Sequence, residues 1–151
     1  MAEEQVYDEK IVVGVDGSEQ SRQALRWAVR QAGFTHALVE AVMAWEPPFS
    51  GWGGAVAVAE EEARLADLAH VALAENVEKA VGAQPSVEIK LRVGKGNPAS
   101  VLLGAAREQA SLLVLGHRGL GGFTGAMLGS VGQYCVQHAP CPVVVIRDSA
   151  S

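Results

Sequence analysis

The sequence predicts an α/β domain built on a mostly parallel β-sheet with helices on both of its faces. Short apolar segments alternate along the chain with longer segments of helical periodicity, as expected for parallel strands joined by crossover helices. The chain has 151 residues, of which 49% are hydrophobic and 19% are charged. This length and composition predict a single domain over residues 1–151 that buries its own core.

The first strand is predicted at Lys10–Val15, a continuous apolar run typical of strands buried on both faces. The turn Asp16–Ser18 follows, and Ser18 is predicted to cap the next helix through its hydroxyl. We expect that helix over Glu19–Ala32, with Gly33 ending it. Its core face consists of Leu25, Ala28, Val29 and Ala32, and its opposite face carries Arg22, Arg26 and Arg30.

The second strand is predicted at Ala37–Trp45. The segment Glu46–Gly54 then interrupts regular structure with two prolines and three glycines. A long helix is expected over Ala59–Val81, and the three glutamates Glu60–Glu62 favour its positive N-terminal end. Its core row is formed by Leu65, Ala69, Leu73 and Val77, with Leu68 and Ala72 beside it.

The second half of the chain repeats this alternation. Polar and apolar residues alternate over Ser86–Val93, which predicts a half-buried strand near an edge of the sheet. Asn97 and Pro98 mark a helix start, and that helix is expected to reach about Gln109. The remaining elements are a buried strand at Ser111–Leu115, a short helix at Ser130–His138 and a last strand at Pro142–Ile146.

Charge and composition exclude several classes of protein. The formal net charge is −5, which argues against a nucleic-acid coat and against a polybasic membrane anchor. No apolar run is long enough to span a membrane, and the acidic start of the chain lacks the features of a secretory signal. We therefore expect a cytoplasmic protein, with Cys135 and Cys141 as thiols.

The most informative segment is Gly116–Ser130, in which six of fifteen residues are glycine. It leaves a buried strand and ends at a predicted helix N-terminus, where free N–H groups favour an anion. The segment is either a phosphate cradle or a flexible glycine loop. If the strands before Asp16 and Gly116 are neighbours at a reversal of strand order, these two residues face each other across a crevice.

The glycine spacing carries a resemblance to a known family. Gly116, Gly119, Gly129 and Ser130 have the spacing G-x2-G-x9-G-S. This spacing resembles the nucleotide signature of the universal stress protein family, in its ATP-binding branch. The resemblance extends over nearly the whole chain and includes the segments Val15–Ser18, Gly94–Pro98 and Pro140–Ile146.

The resemblance implies a Rossmann-like fold of the adenine nucleotide alpha hydrolase type, with five parallel strands in the order 3-2-1-4-5. It also implies a bound adenine nucleotide (ATP, ADP or AMP). We expect Mg²⁺ with it, since phosphate oxygens, waters and one or two carboxylates usually hold this ion. The implied contacts are Gly14, Val15 and Asp16 beside the adenosine, Ala44 at the adenine, Gly116 by the ribose, and Gly119, Gly129, Ser130 and Val131 at the phosphates. The family often has serine or threonine where this chain has Gly132, so one hydroxyl contact to phosphate is missing.

Several residues have two interpretations. Asp16 either binds ribose, adenine or water-bound metal, or caps the turn at Ser18. Arg118 and its neighbour His117 either reach an outer phosphate or are exposed loop residues. Cys135, His138 and Cys141 have no common metal-ligand spacing, which favours a packed helix face. Trp45, Phe49 and Trp52 form a lid, a partner surface or an edge of the core.

No catalytic set of nucleophile, base and orienting group is visible, so we expect no efficient enzyme. The preferred function is a stress-response module whose nucleotide occupancy biases its conformation or assembly. The alternatives are a slow ATPase or phosphotransferase, and a nucleotide-free interaction module. We also expect a homodimer that pairs the apolar edge strand Pro142–Ile146, unless the arm Ala2–Glu9 covers that edge.

Overall fold

The structure is a computed structural model that describes residues 6–47, 54–118 and 127–147. Over these residues the elements are β1 (Glu9–Gly14), α1 (Glu19–Thr35), β2 (Ala37–Trp45), α2 (Ala55–Val81), β3 (Ile89–Lys95), α3 (Pro98–Ala106), β4 (Leu112–Gly116), α4 (Ser130–His138) and β5 (Val143–Ile146). Among the described residues, no helix combines the length and the apolar character needed to cross a lipid bilayer.

The strands form one parallel sheet in the order β3-β2-β1-β4-β5, which confirms the predicted fold class and order. β1 lies at the centre and pairs with β2 on one side and β4 on the other. The strand order reverses between β1 and β4, so their carboxyl ends border a crevice. β3 lies at one edge, as its alternating pattern predicts.

Two apolar clusters cover the two faces of the sheet. Ile11 and Val13 of β1 pack with α1 and α2, whereas Val12 packs with α3 and α4. Every apolar residue of this central strand is therefore buried, which explains its unbroken hydrophobic run. Cys135 belongs to the second cluster and is fully buried.

The start of α1 confirms the sequence prediction, but its end does not. The Ser18 hydroxyl accepts a hydrogen bond from the Ser21 N–H at 3.1 Å. The predicted stop at Gly33 is wrong, because the helix continues to Thr35 and ends at His36 with a φ of 54°. The chain enters β2 directly after His36. The left-handed backbone conformation that ends this helix, which glycine usually adopts, is therefore adopted by a histidine.

Two of the three arginines that the helical pattern places opposite the core face of α1 contact a second helix, while Arg30 is exposed. Arg22 donates to the Gly17 carbonyl and to Asn76 Oδ1 of α2, both at 2.9 Å. Arg26 donates to the Ala80 carbonyl at 3.0 Å, and both arginines bond Glu19. Hydrogen bonds from Arg26 and Arg22 lower the pKa of the Glu19 carboxyl. The two arginines thus tie α1 to the C-terminal half of α2.

Helix α2 begins at Ala55, one turn before the predicted start. The glutamates at 60–62 therefore lie in its second turn, and their predicted role at the helix N-terminus is wrong. The predicted core row is confirmed at Ala69, Leu73 and Val77, which are the buried residues of this helix. Between Ala55 and Leu68, α2 contributes no buried residue to the core.

Candidate functional site

A cavity of about 350 Å³ opens at the carboxyl ends of β1, β2 and β4. It brings together nine of the ten residues that the sequence assigns to a nucleotide, namely Gly14, Val15, Asp16, Ala44, Gly116, Arg118, Gly129, Ser130 and Val131. The tenth, Gly119, lies outside the described residues. Residues that are more than a hundred positions apart in the chain thus share one cavity, while their roles in binding stay predictions.

Two glycines bring the strand ends close to neighbouring elements. A Cβ on Gly14 would lie 3.1 Å from side-chain atoms of Leu102 and Leu115. A Cβ on Gly116 would lie 2.9 Å from the backbone carbon and oxygen of Gln20, at the start of α1. At Gly116 the facing atoms belong to the backbone, so packing requires a residue without a side chain, whereas at Gly14 they are the ends of leucine side chains that can move by a few tenths of an ångström.

Asp16 stabilises the turn that leads into α1. Its Oδ1 accepts hydrogen bonds from the Ser18 N–H at 2.9 Å and from the Ser18 hydroxyl at 2.5 Å. Its own N–H donates to the Ser21 hydroxyl at 3.3 Å. The turn-capping interpretation of Asp16 therefore holds in the structure. Because Asp16 also lines the cavity, contact with a ligand remains a prediction.

The other side of the cavity is the N-terminal end of α4. Gly129 is the N-cap, with φ −65° and ψ 165°, and its N–H donates to the His117 carbonyl at 3.1 Å. A positive φ is therefore not the reason for glycine at this position. Gly129 has no side chain that could accept a hydrogen bond from the backbone N–H groups of the first turn. Those N–H groups belong to residues such as Ser130 and Val131, which line the cavity. This end of α4 suits an anion.

Gly132 is buried in the same wall, one turn into α4. A Cβ there would lie 2.7 Å from Cδ1 of Leu128. The Leu128 side chain thus occupies the space that a serine or threonine at this position would need. A serine or threonine at this position therefore requires the Leu128 side chain to shift.

Other lining residues have no signal in the sequence. The apolar wall includes Val42, Leu102 and Leu115, which read as ordinary core positions and belong to the cluster under α3 and α4. Only the arrangement of the elements shows that their side chains also border an opening. His117 corrects an expectation, since one interpretation made it an exposed loop residue and the structure leaves it 9% exposed in the cavity wall.

The two cysteines lie away from this cavity. Both are free thiols. Burial raises the pKa of Cys135 to about 11, and burial also raises the pKa of Cys141 above its usual value. Within the described parts of the chain, no group of three histidine, cysteine or acidic residues is placed to hold a metal ion. Trp45 packs against the core, whereas Phe49 and Trp52 lie outside the described residues.

Known proteins resemble this chain in sequence. The sequence model of the Universal stress protein family matches residues 9–147. The universal stress protein Rv2623 of Mycobacterium tuberculosis is 35% identical over 140 residues, which are 92% of this chain and 45% of that protein. A universal stress protein of Mycolicibacterium smegmatis is 35% identical over 145 residues, with 91% and 45% covered. The chain spans about half the length of these relatives.

Solved structures resemble it in fold. The universal stress protein UspA from Lactobacillus plantarum superposes with a TM-score of 0.74 at 25% identity, covering 95% of this chain and all of that one. A universal stress protein crystallised in complex with cAMP gives a TM-score of 0.65 at 25% identity, covering 93% of this chain and 98% of that one. The second of these proteins therefore binds an adenine nucleotide.

Proposed function

The chain belongs to the universal stress protein family, and on that premise we propose that its cavity binds an adenine nucleotide: ATP, ADP or AMP. In this proposal, residues 1–151 act as one cytoplasmic stress-response domain whose conformation or assembly depends on nucleotide occupancy. The observation that carries the proposal is the cavity itself, which joins an apolar wall to the N-terminal end of a helix. The similar protein in complex with cAMP supports the same class of ligand.

The two ends of the cavity suit the two ends of a nucleotide. Val42, Ala44 and Leu102 offer an apolar surface to the adenine ring. The first turn of α4 at Ser130 and Val131 offers backbone N–H groups and the positive end of the helix dipole to phosphate. We place the nucleotide between them, with its ribose beside Asp16 and Gly116.

Magnesium fits this proposal as an ion carried by the phosphates. Proteins usually bind Mg²⁺ through phosphate oxygens, waters and one or two carboxylates. Among the described residues that line the cavity, Asp16 is the one carboxylate, and it reaches such an ion through water in our proposal.

Mass spectrometry of ligand released from the denatured pure protein tests the proposal directly. We expect an adenine nucleotide, and we expect calorimetry on the emptied protein to show binding of ATP, ADP or AMP. If the protein is purified empty and none of the three binds, the cavity is not a nucleotide site. The interaction module then becomes the better interpretation.

Alanine at Gly129 is expected to weaken ATP binding about tenfold, as when one hydrogen bond to a charged group, worth about 1.5 kcal/mol, is lost. The added methyl group would hold phosphate away from the N-cap backbone. Among the described residues of the ligand-free protein, the new Cβ meets Cα of Arg118 at 3.7 Å and the His117 oxygen at 3.8 Å, which are ordinary contacts, so the fold should be unaffected. Calorimetry gives the affinity and urea denaturation the stability.

Gly54 provides the matched control for this substitution. It is the N-cap of α2 with nearly the same backbone conformation, φ −72° and ψ 169°, and a Cβ there meets no atom of the described residues within 4 Å. Gly54→Ala should leave ATP affinity unchanged. Equal ATP affinity in Gly129→Ala and the wild type would remove the end of α4 from the site.

We further propose a symmetric homodimer that pairs β5 with β5 of a second copy. β5 is an edge strand of four apolar residues, and unpaired edges of this kind favour pairing. The N-terminal arm, as far as it is described, runs to the opposite edge. There Asp8 N–H donates to the His36 carbonyl at 3.2 Å and the Tyr7 hydroxyl bonds Glu88.

Lysine at Val145 is the variant that tests this dimer. Val144 and Ile146 pack against the core under α1, whereas Val145 belongs to neither apolar cluster. Light scattering should find a dimer for the wild type and a monomer for Val145→Lys. Val71→Lys, on the exposed side of α2, should remain a dimer. A monomeric wild type, or a dimeric Val145→Lys, contradicts the proposal.

A further inference from the structure

His117 is held in place by its backbone at the junction of three elements. It follows Gly116, the last residue of β4. Its N–H donates to the Ile146 carbonyl of β5 at 2.8 Å, and its carbonyl accepts from the Gly129 N–H of the α4 cap at 3.1 Å. The residue therefore stands between the end of the sheet and the N-terminal end of α4.

The His117 side chain is buried in the cavity wall without a partner among the described residues. Three polar residues of the described chain are buried: Ser18, Ser21 and His117. The hydroxyls of both serines make hydrogen bonds to their neighbours. No described group bonds the imidazole. The ring nitrogens are not among the fully enclosed polar atoms that lack a partner, so they keep access to the cavity, where a ligand can reach them.

Few charged groups surround this imidazole. Of the described residues that line the cavity, Asp16 and Arg118 are the other two with ionisable side chains. The lining residues from α1, α3 and α4 are uncharged, and β5 is followed by the exposed Arg147. In sequence, residues 119–126 carry no ionisable side chain. Among the described residues that line the cavity, His117 and Arg118 are therefore the two whose side chains can carry a positive charge.

We infer that His117 recognises the phosphate nearest the ribose and takes up a proton when the nucleotide binds. This inference rests on the proposed nucleotide site. The imidazole accepts one proton from the solvent, and the resulting imidazolium donates an N–H to a phosphate oxygen. In the proposed site the ribose lies beside Gly116 at the end of β4, and the outer phosphates lie at the first turn of α4. His117 lies between these two places, beside the phosphate nearest the ribose. Imidazole changes charge between about pH 5 and pH 8, so affinity depends on pH in this range.

Binding of AMP as a function of pH tests this role. Calorimetry in the presence of EDTA compares the wild type with His117→Gln from about pH 5.5 to about pH 8.5, across the range in which imidazole titrates. The ligand's own protonation affects both proteins equally and cancels in the ratio of their dissociation constants. We expect the wild type to bind about tenfold more tightly at the acidic end, since charge-assisted bonds exceed neutral ones. Near the alkaline end the two should converge.

Two controls isolate the phosphate contact. His70→Gln, on the exposed side of α2, should follow the wild-type pH curve. Adenosine, which has no phosphate, should bind equally to the wild type and His117→Gln. A loss of adenosine affinity equal to the loss of AMP affinity would place His117 at the nucleoside and overturn the phosphate assignment.

The outcomes separate this inference from the proposed function. If the wild type binds AMP and His117→Gln has the same pH curve, His117 has no such role and the nucleotide site stands. If the wild type binds no adenine nucleotide at any pH, both proposals fail. If His117→Gln does not fold, NMR signals of the His117 imidazole in the wild type test the inference instead. At neutral pH its signals should move toward those of imidazolium with AMP and stay unchanged with adenosine, and no movement with AMP overturns the inference.

Discussion

Alanine at Gly116 is expected to destabilise the protein by about 3 kcal/mol, at the upper end of the cost of overpacking. The new Cβ would lie 2.9 Å from the backbone carbon and oxygen of Gln20. Backbone atoms cannot rotate away as a side chain can, so either β4 or the start of α1 has to move. Both elements carry fully buried core residues, Leu113 and Leu25, whose packing would be disturbed.

Urea denaturation measures this effect, and Gly33→Ala is its control. Gly33 lies inside α1, and a Cβ there meets nothing within 4 Å. Alanine at Gly33 should therefore stabilise the protein by about 0.5–1 kcal/mol through helix propensity alone. If Gly116→Ala is as stable as the wild type, the contact between β4 and α1 does not explain this glycine. Its reason would then lie with the ligand.

Leu73→Ala is expected to cost about 3 kcal/mol, within the range measured for buried leucines. Leu73 is fully buried, and it is the largest of the three buried residues of α2. Truncation leaves a cavity between α2 and the sheet, on the face that β2 and β3 share with α1. The stripe that includes Leu73 is the buried apolar attachment of this helix of 27 residues, and the hydrogen bonds from Arg22 and Arg26 add to it.

Leu68→Ala is the matched control on the same helix. Leu68 is 52% exposed, so its truncation should change the free energy of unfolding by no more than about 0.5 kcal/mol. Both free energies come from urea denaturation monitored by circular dichroism. Similar losses in the two variants would mean that α2 buries a different face from the one described.

The predictions for local structure succeeded where one interaction dominates. Ser18 and Asn97 cap their helices as expected, because a short side-chain acceptor next to a free N–H needs no distant partner. The ends of helices and strands are harder to predict, because they depend on where distant parts of the chain must meet. Gly33 favours a helix end, but α1 continues to Thr35, and the chain changes direction at His36, directly before β2 begins.

In the candidate site, too, local patterns were predictable and long-range contacts were not. Its motif residues were predicted from the glycine spacing, and the nine that are described border one cavity. The burial of His117 could not be predicted. It depends on hydrogen bonds of its backbone to β5 and to the cap of α4, which are distant in sequence. Likewise, the helical pattern places Arg22 opposite the core face of α1, and nothing near it in the chain indicates that Asn76 lies beside it.

The sequence by itself therefore determined the alternation of strands and helices, the buried sides of α1 and α2 and the glycine-rich segment that ends at α4. Periodicity and capping are local properties, and local residues suffice to specify them. Only the tertiary structure decided which side chains share the cavity, that Leu128 fills the space beside Gly132 and that His117 is enclosed. These features depend on how separate elements pack, and packing distances are not encoded in any one segment.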